Sequence, residues 1–148
     1  MSKENEGDNG RRPRGFLILR AAAMPKDTNP KGDIFGGWIL AQMDVAGGMM
    51  ASEIAGGRTV TVTVEKMVFK LPVHVGETIS VHGALLQIGN SSMDISIEVW
   101  AKPLSGEFRA ERHLVTEGIF RYVAIDDRGR PRSVPDNPHC FSESSDIS

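Results

Sequence analysis

Between Gly36 and Ile54 the chain has no proline, and Ile39, Met43, Ala46, Met50 and Ile54 recur at helical spacing until Gly56 and Gly57 halt the pattern. No other stretch supports a long helix, so the rest of the fold must be built around this one. Trp38, Ile39, Leu40, Met43, Val45, Met49 and Met50 make it apolar over most of its circumference. Such a helix is expected to be wrapped by a curved sheet, since a surface helix would show one polar face. Ala46, Gly47 and Gly48 are small enough to let another backbone come close, although each mid-helix glycine costs ~1 kcal/mol of intrinsic helix stability. A packing partner is therefore expected along this side.

The flanking segments supply the sheet. Gly15 to Arg20 is a short apolar run followed by the turn-rich stretch Met24 to Gly32, and reads as a strand. After the helix, Thr59 to Phe69, Glu77 to Gln87, Ser92 to Ala101 and Arg109 to Val123 are strand-like and separated by Gly, Pro or Asn signals. A strand, one long helix and then a run of antiparallel strands define the α+β class. A chain of 148 residues suits one domain, placed here at residues 15–135. Residues 1–14 and 136–148 are polar and are expected to be disordered tails.

Composition narrows the function. The formal charge of -2 gives no pull toward nucleic acid. No apolar run approaches the ~20 residues needed to cross a bilayer, and Met1 to Arg14 has no apolar stretch of the signal-peptide kind; a cytoplasmic location without a membrane partner is the expectation. Cys140 stands alone in the polar tail, and His74, His82, His113 and His139 show no paired spacing of a zinc site. No metal and no organic cofactor are expected.

Within the helix, Asp44 is the unusual residue. A carboxylate amid apolar side chains is costly unless it is paired or turned to solvent, so its place asks for a bonding partner or a chemical task. Gly36 and Gly37 stand at the helix entrance, where unpaired N–H groups can receive a carbonyl oxygen; close packing is the other reason for small residues there. Asn29, in the stretch Asp27-Thr28-Asn29, suits an Asx turn.

The stretch from Met24 to Asp44, with its Asp-Thr-Asn, Gly-Gly and helical Asp, resembles the signature of bacterial YciA-type acyl-CoA thioesterases, relatives of the tandem-hotdog acyl-CoA hydrolases of animals. The resemblance continues through Val60 to Phe69, Pro72 to Gly76, Ile97 to Trp100 and Phe120 to Ala124, to about Pro135. It implies a hotdog fold, one long central helix wrapped by a curved antiparallel β-sheet, and hydrolysis of acyl-CoA to a carboxylic acid and coenzyme A. It also implies that Asp44 acts as general base or nucleophile, that Gly36 and Gly37 hold the thioester oxygen, and that Asn29 faces Asp44 of the partner subunit. The assembly it implies is a homodimer within a hexamer, a trimer of dimers. Coenzyme A is then part of the substrate. Its phosphates and pantetheine would be met by Arg58, Lys70 and Arg132 and by the turn Gly89, Asn90, Ser91 and Ser92; a solvated charge or an ordinary hairpin explains each of these equally simply.

Two other functions share such a helix. A hotdog hydratase usually pairs a His with its carboxylate, but no His occurs between Met1 and Phe69. A non-catalytic acyl-CoA-binding module would lack the hydrolytic Asp.

Overall fold

The computed structural model describes residues 11–103 and 111–135. Residues 1–10 and the whole segment 136–148, with His139 and Cys140, lie outside the described residues. Strand β1 (Phe16–Ala22) leads through a single 3-10 turn (Pro25–Asp27) to helix α1 (Gly36–Ala55). Strands β2 (Thr59–Phe69), β3 (Thr78–Ile88), β4 (Ser92–Lys102) and β5 (His113–Ala124) follow. They form one five-stranded sheet in the order β1-β3-β4-β5-β2, antiparallel throughout. The last strand starts at His113, later than the Arg109 expected from the pattern, and residues 104–110 lie outside the described set.

The helix ends where the glycines require. Gly56 adopts φ 69°, the left-handed conformation that an L side chain resists, and its N–H and that of Gly57 both return to the Ser52 carbonyl. Arg132 seals the same end from the chain's last described segment, donating to the Ala55 carbonyl at 2.7 Å and to the Ile125 carbonyl at 3.3 Å. A cation beside free C-terminal carbonyls is favoured by hydrogen bonding and by the helix dipole.

The core lies between α1 and the inner face of the sheet. Ile39, Met43, Ala46, Met50, Ala51 and Ile54 from the helix meet Ile79 and Val81 of β3, Met93, Ile95, Ile97 and Val99 of β4, and Phe120 and Tyr122 of β5. Each large side chain so buried is worth roughly 1.5–3 kcal/mol. The opposite side of α1 is not covered. Leu40, Val45 and Met49 are 37%, 54% and 52% exposed, because five strands of one protomer cover only one face of the helix. A side chain at Gly47 would strike the Tyr122 ring and Ile97, while one at Gly48 would meet nothing within 4 Å. The small residue at 47 admits a tyrosine.

Strand β2 is the far edge of the sheet. Val60, Val62, Val64, Val68 and Phe69 are all at least 41% exposed, so a long apolar edge stands open of the kind that natural proteins cover with a partner.

The sheet's outer face holds a charged cluster. Glu98 on β4 is 1% exposed. It accepts hydrogen bonds from the Arg14 backbone N–H and the Trp100 indole, each at 2.9 Å, and from the Arg11 guanidinium. Arg11 also reaches Glu117 on β5, which Lys70 bonds from its other side at 3.3 Å. Contacts therefore begin before Gly15.

Across the β3–β4 ladder from Glu98 stands His82, buried. Burial holds its imidazole below the ordinary 6.5; Arg112 and Arg20 push the same way, and Glu98 opposes them. The unfolded chain thus binds the proton more readily, so this contribution to stability is complete above about pH 6.5 and declines as pH falls below it. The expected result is a Tm that drops between pH 7 and pH 5.5, with a smaller drop in His82→Phe. Equal pH dependence of the two melts would contradict this account.

Candidate active site

Asp44 lies in the third turn of α1, half-buried on the side that faces the open edge of the sheet. Two hydroxyls converge on its carboxylate. Thr61 of β2 donates to Oδ1 at 2.7 Å, and Tyr122 of β5 donates to the same oxygen at 3.0 Å. Thr61 and Tyr122 are direct partners in the β2–β5 ladder, so the register of two neighbouring strands places both groups on the helix. Burial pushes the Tyr122 hydroxyl far above its ordinary value, and the charge and hydrogen bond of Asp44 add to the rise. The phenol stays protonated and donates. Oδ2 of Asp44 has no partner among the described residues.

Gly36 and Gly37 open the helix roughly two turns before Asp44. The capping residue Phe35 offers no side-chain bond, and the first intrahelical donors are Trp38 and Ile39 to the Phe35 carbonyl. The N–H groups of Gly36 and Gly37 consequently have no acceptor among the described residues, as the first turn of any helix leaves them. Nothing in the protomer demands glycine here. Neither has a positive φ, a side chain at Gly37 would meet nothing within 4 Å, and one at Gly36 would meet only the edge of Phe69 at 3.8 Å. The free space and the free donors lie together.

Asn29 forms the Asx turn that its surroundings suggest. Its Oδ1 accepts the N–H groups of Lys31 at 2.9 Å and Asp33 at 3.1 Å. With the side-chain oxygen so engaged, the amide nitrogen has no hydrogen-bond partner among the described residues. Within one protomer the structure records no hydrogen bond between Asn29 and Asp44.

The basic and hairpin candidates divide between the two ends of α1. Arg58 is exposed just past the helix C-terminus, and Arg132 binds that terminus. The turn Gly89, Asn90, Ser91 and Ser92 is tied there too, through Val134 N–H to the Asn90 carbonyl at 2.8 Å and Ser133 to the Asn90 side chain at 3.2 Å. Lys70 stands at the opposite end of the eleven-residue strand β2, roughly 35 Å away along an extended chain, and is paired with Glu117. The Arg132 guanidinium is already engaged by backbone carbonyls, whereas Arg58 presents its charge to solvent.

Sequence reasoning did not find Thr61 and Tyr122. Tyr122 is the single tyrosine of the chain, two residues after Phe120 on the buried face of its strand, and a buried phenol needs a hydrogen-bond partner; that requirement was the available signal.

A long helix packed against an antiparallel sheet is the hotdog arrangement, and the chain belongs to the thioesterase superfamily, whose pattern matches residues 31–105. More narrowly, it is 50% identical over 123 residues to the acyl-CoA thioester hydrolase YciA of Escherichia coli, covering 83% of this chain and 93% of that protein. Its fold matches a crystal structure of a hexameric broad-specificity acyl-coenzyme A thioesterase with TM-score 0.81 and 50% identity, over 87% of each chain. A hexameric hotdog-fold thioesterase of Campylobacter jejuni matches with TM-score 0.80 and 37% identity, over 86% of this chain and 96% of that one.

Proposed function

We propose that the protein hydrolyses acyl-CoA thioesters to a free carboxylic acid and coenzyme A, with Asp44 as the reacting carboxylate. The observation that carries this reading is the half-buried Asp44 whose Oδ1 is held by two hydroxyls while Oδ2 stays open. Its relatives, named as acyl-CoA thioester hydrolases at about half identity, supply the substrate class. The thioester oxygen would rest on the N–H groups of Gly36 and Gly37, where negative charge develops as the carbonyl carbon becomes tetrahedral. Losing one such donor typically costs about 2.7–4 kcal/mol in barrier.

Oδ2 can act in two ways with the same products. As a base it takes a proton from water, and the water oxygen attacks the carbonyl carbon. As a nucleophile it forms a mixed anhydride, which water then cleaves. In both routes the carbon–sulfur bond breaks and the thiolate of coenzyme A leaves to be protonated. Neither route calls on a metal or an organic cofactor, and among the described residues no cluster of metal-ligating side chains occurs.

The working unit in this reading is a homodimer, assembled as a hexamer like its relatives. The open edge of β2 and the bare face of Leu40, Val45 and Met49 are the surfaces that a second copy would cover. Asn29 of one chain would then present its amide to Asp44 of the other. Arg58 and the turn Gly89 to Ser92 are the groups assigned to the coenzyme A phosphates and pantetheine; Lys70 and Arg132, each already paired, have the smaller share. Coenzyme A esters carry phosphates that do not cross a bilayer unaided, which places the enzyme beside them in the cytoplasm.

The test is release of free thiol from a panel of acyl-CoAs of increasing chain length. Steady release, unchanged after chelator treatment, is expected. Hydration of an enoyl-CoA without thiol release, or binding without turnover, would overturn the reading.

A further inference from the structure

Tyr122 is 1% exposed, and its ring stacks on Phe120 at 6.3 Å between centroids and 14° between planes. A strand backbone and a neighbouring ring thus fix the phenol before any substrate arrives. Its hydroxyl lies 3.0 Å from Asp44 Oδ1 and 3.2 Å from the Asp44 main-chain carbonyl. The one phenolic proton is shared between them, with the side-chain oxygen the nearer acceptor. The helix is adapted to let the hydroxyl in: a Cβ at Gly47, one turn beyond Asp44, would collide with the Tyr122 hydroxyl and lie 2.9 Å from Cζ. A glycine is kept in mid-helix, against its propensity, at the place where the tyrosine must enter.

We infer that Tyr122 is a positioning residue: with Thr61 it pins one oxygen of Asp44, so that only Oδ2 is presented to the thioester. The inference rests on the acyl-CoA reading above and adds a role to it. Without the phenol, Thr61 holds Oδ1 alone and the carboxylate can rotate about its last torsion, which spends its time away from the attacking geometry. Orientation of this kind acts on the reacting step and leaves substrate binding alone.

Tyr122→Phe keeps the ring and its stacking but removes the hydroxyl. We expect kcat to fall at least about tenfold, with KM held within about twofold and an unchanged melting profile. The chain has one tyrosine, so growth on 3-fluorotyrosine labels this position alone. The fluorine resonance should move when Asp44→Asn is introduced, a readout independent of turnover and of whether Tyr122→Phe folds. Wild-type kcat in a folded Tyr122→Phe, or a fluorine resonance indifferent to Asp44→Asn, overturns the inference. Failure of the unmodified enzyme to release thiol at all would instead sink the acyl-CoA reading on which it stands.

Discussion

Asp44→Asn should lose at least about a hundredfold in acyl-CoA hydrolysis while remaining folded. The substitution keeps the shape of the side chain and an oxygen able to accept from Thr61 and Tyr122, which bond only Oδ1 in the native protein. What it removes is the basicity and nucleophilicity of the other position. General base catalysis by a placed group is ordinarily worth 10²–10⁴-fold, roughly 3–5 kcal/mol. The helix gives little reason for unfolding, because Asp44 is half-buried and the core side of this turn is formed by Met43, Ala46 and Gly47. Thiol-release kinetics together with a melting curve decide the matter. Near-normal turnover in a folded variant would remove Asp44 from the chemistry and leave its two hydroxyl bonds as a purely structural arrangement.

Mixing two inactive variants should restore activity to roughly a quarter of all sites. Asn29→Ala and Asp44→Asn each abolish every site in their own homodimers, if a site takes Asn29 from one chain and Asp44 from the other. After mild dissociation and random reassociation at equal amounts, half of the dimers are mixed. Each mixed dimer has one site with both lesions and one with neither. The geometry behind this expectation is local: Asn29 has its side-chain oxygen held by the N–H groups of Lys31 and Asp33, and no bond joins it to Asp44 within the protomer. Mass analysis would establish that mixed dimers form. If they form and no activity returns, each chain must build its own site.

Much of the fold was legible because its punctuation is chemical. Gly56 could be read as a helix stop, since a left-handed residue there is almost a glycine's alone, and β2 matched its expected limits because alternating β-branched residues lie between Gly57-Arg58 and Lys70-Leu71. The start of β5 was harder: residues 104–110 lie outside the described set, and Glu111 and Arg112 precede the strand, which begins at His113. Leu40, Val45 and Met49 are exposed in the single chain, since hydrophobicity tells that a surface will be covered and not by which chain. At the site, Asp44, the glycine pair and Asn29 are close in sequence and carry a motif, and they could be proposed together. Thr61 and Tyr122 reach Asp44 only through the pairing of β2 with β5, a long-range register that local patterns do not encode. The charge of Arg132 shows in the sequence, whereas its bonds to the Ala55 and Ile125 carbonyls depend on the folded chain.

The Arg11, Arg14 and Trp100 contacts to Glu98 bear on how the chain could be shortened, by proteolysis or in evolution. Composition suggests that everything before Gly15 is dispensable. Yet a chain beginning there would leave a carboxylate that is 1% exposed with the Trp100 indole as its one remaining partner among these three. Uncoupling a buried charge in this way commonly costs about 3–5 kcal/mol, a large part of the stability of a small domain. The margin for trimming therefore ends at Arg11, and a nick between Arg11 and Gly15 would act as a destabilising mutation in the sheet although no residue of the sheet had changed.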